Sequence, residues 1–102
     1  MKNAMKKMTL LIALSFTMAI PSAANAACFV DYKAKQNAGG LKLHYGVMKL
    51  SDAACANNAL ARKVVTRRLS QGGWKLLAIM AKFNQSGLSK RQANAGAYFL
   101  RY

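Results

Sequence analysis

The first 26 residues decide what this chain can fold into, because they read as an export leader and so remove a quarter of the sequence from the fold. Lys2, Lys6 and Lys7 form a basic start, residues 8–20 an apolar run, and residues 21–26 a small-residue stretch closing on Ala24-Asn25-Ala26. Cleavage is expected after Ala26. The apolar run spans 13 residues, short of the roughly 20 that a membrane-crossing helix needs, and no later segment approaches that length. The expected product is one exported domain, residues 27–102, with no transmembrane segment once the leader is removed. The Lys-rich leader points to bacterial export, hence to a periplasmic or secreted destination. A domain of that size has a thin core and gains much from a covalent staple.

Export also governs the reading of Cys28 and Cys55, the only cysteines in the chain. An oxidising compartment favours pairing over free thiols, so a Cys28–Cys55 disulfide is expected. For a loop of this length the chain-entropy argument gives about 3 to 4 kcal/mol. The pair is not a C-x-x-C redox motif. Two thiols and His44, without ligand spacing, make no tetrahedral metal set. Lipidation of Cys28, which follows Asn25-Ala26-Ala27, is the alternative and would leave Cys55 unpaired.

Charge is the second constraint. Of 16 Lys and Arg, three lie in the leader, leaving 13 against Asp31 and Asp52 alone, a net charge of +11. Such a domain attracts polyanions at long range, with an attraction that salt weakens. Outside the cytoplasm the matching partners are lipopolysaccharide, anionic lipid headgroups, acidic wall polymers and extracellular DNA.

Along the domain, Val30, Tyr32 and Ala34 alternate with Asp31, Lys33 and Lys35, and after residues 36–40 Leu43, Tyr45 and Val47 alternate with Lys42, His44 and Gly46. This period of two predicts a hairpin. Pairing Lys35 with Lys42 puts Val30, Tyr32, Ala34, Leu43, Tyr45 and Val47 on one face and Lys33, Lys35, Lys42 and His44 on the other. Ser51-Asp52 offers a helix start, Asn57 or Asn58 a later cap, and Gly72-Gly73 the stop. In that helix Leu60, Ala61, Val64, Val65 and Leu69 share one half of the wheel while Arg62, Lys63, Thr66, Arg67 and Ser70 share the other. Arg68 falls among the apolar positions, and its stem is expected to reach the helix's own terminal carbonyls.

The apolar residues 74–83 read as a central strand, residues 88–95 as a basic connection with at most a helical turn, and residues 97–102 as a closing strand. The expectation is an α+β fold: a small antiparallel sheet in the order β-β-α-β-β, one amphipathic helix packed on one face, and one disulfide.

The stretch Arg67-Arg68-Leu69-Ser70-Gln71-Gly72-Gly73-Trp74-Lys75-Leu76-Leu77 resembles the G-W-E-L motif of small exported proteobacterial proteins of the GWEL type, with Lys75 where that family has an acidic residue. The segments 31–35, 43–47 and 95–102 are similar to the same group. The resemblance implies the fold and carries no activity with it.

Catalytic inventory is poor. The domain holds one His and two acids, too few for paired acid–base chemistry, and Gly39-Gly40 and Gly72-Gly73 are turn signals rather than a phosphate loop. The chain is therefore expected to be no enzyme and to carry no cofactor, and sequence-specific nucleic-acid readout has no support. The leading expectation is a binding module for anionic envelope components (anionic lipid, lipopolysaccharide or another polyanion), with Lys33, Lys35, Lys42, His44, Arg62, Lys63 and Arg67 as its anion-binding residues. The alternative is a small structural or protein-interaction factor of the envelope, docking another protein through a sheet edge or through the strand face around Phe29 and Met48, its charge incidental.

Overall fold

In the computed structural model, which describes residues 27–102, the chain folds into one three-stranded antiparallel sheet with helices on both faces. The expected leader lies outside the described residues. Strand β1 (Cys28–Gln36) turns through a five-residue loop into β2 (Lys42–Leu50). Gly39 and Gly40 take φ of 76° and 104° there, values a side chain would strain. Two helices follow where a single one was expected, because both sequence caps are used. Ser51 accepts a bond from the Ala54 amide to start α1 (Asp52–Cys55), and Asn57 accepts one from the Leu60 amide to start α2 (Asn58–Gln71). Helix α2 ends at Gly72-Gly73, with Gly73 at φ 82° and the Trp74 amide folding back to the Leu69 carbonyl at 3.0 Å. Strand β3 (Lys75–Phe83) then pairs with β1, and a 3-10 turn (Gln85–Gly87) leads into α3 (Ser89–Ala95).

The strand order is β2-β1-β3. Residues 74–83 were expected at the centre of the sheet, yet β1 takes that place and β3 is an edge. The burial explains the exchange: Cys28 through Tyr32 are buried without a break, whereas Leu77 and Met80 of β3 are exposed. The β1–β3 register shifts twice, between Asp31 and Tyr32 and between Lys33 and Ala34. The residues left out of pairing on β3 are Met80 and Leu77, so an apolar run that reads as continuously buried is broken by bulges.

The hairpin register also differs from the expected one, by one residue. Gln36, not Lys35, pairs with Lys42, and Tyr32 pairs with Gly46. A one-residue slip moves every side chain of a strand to the other face. His44, Gly46, Met48 and Leu50 therefore join Val30, Tyr32 and Ala34 on the inner face, under α2, while Leu43, Tyr45 and Val47 join Phe29, Asp31, Lys33 and Lys35 on the outer face. Gly46 shows why. A Cβ there would lie 2.4 Å from the Tyr32 hydroxyl oxygen, so only this position of β2 leaves room for the tyrosine ring directly opposite.

The inner core joins Val30, Tyr32, Met48 and Leu50 to Ala54, Ala61, Val65, Leu69, Trp74 and Leu76. Trp74 seals it beneath α2. A second cluster on the outer face, Phe29, Val47 and Ala95 with Tyr45, Phe83, Leu88 and Phe99 around them, exists because the stretch expected as a connection forms a packed helix over residues 89–95. The expected closing strand is also replaced. Gly96 (φ 50°) and Leu100 (φ 58°) interrupt the extended path, and residues 96–98 form a 3-10 turn. Only one parallel bridge, Val47 with Phe99, and a bond from the Leu100 amide to the Val47 carbonyl remain. This tail wraps the free edge of β2: Phe99 packs into the outer cluster, and Tyr98 and Tyr102 against the inner one.

Cys28 and Cys55 form the expected disulfide, with Cα atoms 6.2 Å apart, tying the start of β1 to the end of α1. The bond is incompatible with a lipidated Cys28 thiol. The α+β class with one disulfide thus stands, with a shorter sheet and more helix at its C-terminal end.

Candidate anion-binding surfaces

The seven residues expected to bind an anion do not form one cluster. Lys33 and Lys35 lie on the outer sheet face, next to Lys75, which the register sets directly opposite Lys35. Lys42 is exposed at the hairpin end but alternates onto the inner side. Arg62, Lys63 and Arg67 line the exposed side of α2 together with Ala59, Thr66 and Ser70, on the other side of the sheet from Lys33 and Lys35. Helix α2 carries four basic residues and no acid. The structure thus offers two basic surfaces back to back.

His44 belongs to neither. Its side chain is buried at 9 % exposure, its Nε2 lies 3.0 Å from the Tyr32 hydroxyl, and its ring stacks on Tyr98 at 3.7 Å with Trp74 edge-on at 4.3 Å. Burial, then the nearby Arg101 charge, holds its pKa below the ordinary histidine value. A neutral imidazole walled by aromatic rings attracts no anion, so the expectation for His44 is corrected. The cause is the register slip, which moved it off the lysine face. Its Nδ1 has no hydrogen-bond partner among the protein groups. Burial, followed by the Tyr102 and Tyr98 hydroxyls, drives the Tyr32 pKa far above that of a free tyrosine.

Asp31 is a second buried polar centre. One carboxylate oxygen accepts from the Arg91 Nε at 2.9 Å and from the Tyr45 hydroxyl at 2.8 Å. Arg91 donates onward to the Gly87 carbonyl at 2.8 Å, and its guanidinium lies 3.8 Å over the Phe83 ring. Burial, with the hydrogen bond to Asp31, pushes the Tyr45 pKa up to about 12. This cluster pins α3 to the sheet. It also removes one of the two acids of the domain from the surface, leaving Asp52 as the only exposed carboxylate among the described side chains.

Two other basic residues serve the fold. Arg68 donates to the Lys49 carbonyl at the end of β2, at 2.8 Å, instead of to its own helix terminus, and so ties α2 to the hairpin. Lys82 donates to the Cys55 carbonyl and to Asn58 Oδ1, stitching β3 to the α1–α2 junction. The remaining basic residues on α2 and at the hairpin end face solvent without an anionic partner; Asp31–Arg91 is the one ion pair among the described residues.

Sequence reasoning missed Lys75, whose neighbourhood only the β1–β3 register reveals, and the exposed leucines toward the hairpin end of the sheet. Leu41 and Leu43 are 67 % and 65 % exposed, the most open large hydrophobic side chains described, and Leu77 is 43 % exposed. Lys33, Leu43, Tyr45 and Leu77 border a hollow of about 250 Å³ over the Ala34–His44 rung. Leu41 next to the Gly-Gly turn was the available signal, since a loop residue has no core to enter. Phe29 and Met48, expected on a partner-binding face, are 4 % and 0 % exposed and present no such surface.

Among the described residues no group of His, Cys, Asp or Glu is placed to hold a metal ion, and no helix is long and apolar enough to cross a membrane. Comparison with protein-family models, curated proteins and solved structures finds no match to the chain.

Proposed function

We propose that this protein is a non-enzymatic binding module for anionic components of the bacterial cell envelope, working in the periplasm or after secretion. The observation that carries the reading is the distribution of charge: one acid is consumed internally by Arg91, and the exposed side of α2 (Arg62, Lys63, Arg67) and the outer sheet face (Lys33, Lys35, Lys75) present cations with no internal counter-charge. Such surfaces hold polyanions by long-range attraction and counterion release, so the affinity falls steeply with salt. The disulfide is the kind of bond that an oxidising compartment preserves.

The test is retention of the oxidised protein on lipopolysaccharide and on heparin between about 50 and 200 mM salt. Strong retention at the low end that is lost at the high end is expected, and replacing Arg62, Lys63 and Arg67 together by Glu should weaken it while leaving the circular dichroism spectrum unchanged, since all three side chains are exposed. Absence of retention at low salt sinks the proposal.

One observation favours a second reading, a protein-interaction factor. The outer edge of β3 pairs with no strand among the described residues, and a groove of about 460 Å³ between β3 and α2, lined by Ala61, Ile79, Met80 and Lys82 among others, runs beside it. An added strand would find free backbone donors and acceptors there. Salt-resistant capture of one envelope protein would favour this reading.

A further inference from the structure

We infer that the open half of the outer sheet face, at the hairpin end, docks onto anionic lipid bilayers. This rests on the polyanion-binding reading and names the ligand class and the surface.

The outer face is divided. Helix α3 and the C-terminal tail cover the half that holds Phe29, Val47 and Phe83. Beyond them the face is open, and the register lays Leu43, Lys35 and Lys75 side by side across all three strands, with Lys33 one rung away. Lys35 and Lys75 are directly opposed like charges, an arrangement that costs stability unless an anion sits over it. The lysines alone would suit any phosphate-bearing polymer. The leucines would not: Leu43, paired opposite Lys35, stands 65 % exposed, and Leu41, two residues before it in the hairpin loop, 67 %, and a soluble polyanion gains nothing from them. Apolar side chains projecting next to ammonium groups match the boundary between acyl chains and anionic headgroups. The hollow bordered by Lys33, Leu43, Tyr45 and Leu77 has the same mixed character. No carboxylate lies on this half of the face, since Asp31 is held under α3 and Asp52 is on α1.

The experiment is co-sedimentation of the exported, disulfide-bonded protein with vesicles of phosphatidylglycerol and phosphatidylcholine, with phosphatidylcholine vesicles and heparin retention run in parallel. Binding to the anionic vesicles and not to the neutral ones is expected. The double variant Leu41→Ser, Leu43→Ser should lose about tenfold or more of its vesicle partitioning, given the apolar area it withdraws, with heparin retention unchanged. A Leu41→Trp variant should show blue-shifted emission on anionic vesicles, a readout that the buried Trp74 does not supply. If the double-serine variant binds anionic vesicles like the parent, or if the parent binds heparin but not vesicles, the bilayer inference is overturned and the polyanion reading stands. If the parent binds neither, both fall.

Discussion

His44 shows how one side chain can look functional in sequence and be structural in space. Set on one hairpin face with Lys33, Lys35 and Lys42 by the expected register, it reads as part of a cationic site. In the fold it is stacked on Tyr98, edge-on to Trp74 and bonded to Tyr32. Its lowered pKa carries a stability consequence. In the unfolded chain His44 takes up its proton near pH 6.5, but in the folded state only at lower pH, so the unfolded state binds more protons in between. Stability is therefore full above about pH 6.5 and falls as pH drops below it, levelling once the folded-state pKa is passed. Tyr32, Tyr98, Tyr102 and Arg101 are the titratable groups around the ring. Thermal melts between about pH 7.5 and 5 should show this decline, and a His44→Phe variant should flatten it. An equal slope in the variant would assign the effect elsewhere.

The elements depend on polar ties that no hydrophobic pattern contains. Arg91 reaches from α3 to Asp31 on the central strand, Arg68 from α2 to the Lys49 carbonyl, and Lys82 from β3 to the Cys55 carbonyl. The first is the most consequential, because α3 itself buries only Ala95 and is short for an independent helix. Replacing Asp31 by Asn leaves the partly buried Arg91 without its counter-charge, a change expected to cost about 3 kcal/mol. Denaturant unfolding should register it, and faster amide exchange in residues 89–95 than in β1 would localise it to α3. Unchanged exchange in α3 would mean that apolar packing alone holds the helix. The bulges at Leu77 and Met80 are the element-scale counterpart of this: they interrupt the ladder of an edge strand and leave two apolar side chains outward.

At the scale of the whole molecule, the balance of +11 is held by a domain with one exposed carboxylate, so the folded state repels itself. Raising monovalent salt from about 0.01 to 0.15 M shortens the screening length from about 30 to 8 Å, and the Tm of the free protein should rise with it, the reverse of the effect on ligand affinity. A Tm indifferent to salt would show the basic surfaces to be too far apart to interact. How much of this was legible in sequence follows from the physics of each feature. Local signals are carried by neighbouring residues: the alternation that makes the hairpin, the Ser51 and Asn57 caps, the Gly-Gly stop before Trp74, the pairing of the chain's only two cysteines and the charge itself were all readable, and with them the α+β class. The register was not, because β2 carries apolar residues on both faces, Leu43, Tyr45 and Val47 on one and Met48 and Leu50 on the other, and the pattern fits either pairing; the fit of Tyr32 against the missing Cβ of Gly46 decided it. That choice moved His44 into the core and set Leu43 beside Lys35, and the pairing of β3 brought up Lys75. The sequence by itself determined what the surface is made of, since charge and exposure of long cationic side chains depend little on partners distant in the chain. Which cations stand together, and which leucines stand with them, was decided only by tertiary structure, because strand register and helix docking are set by shape complementarity between residues far apart in sequence.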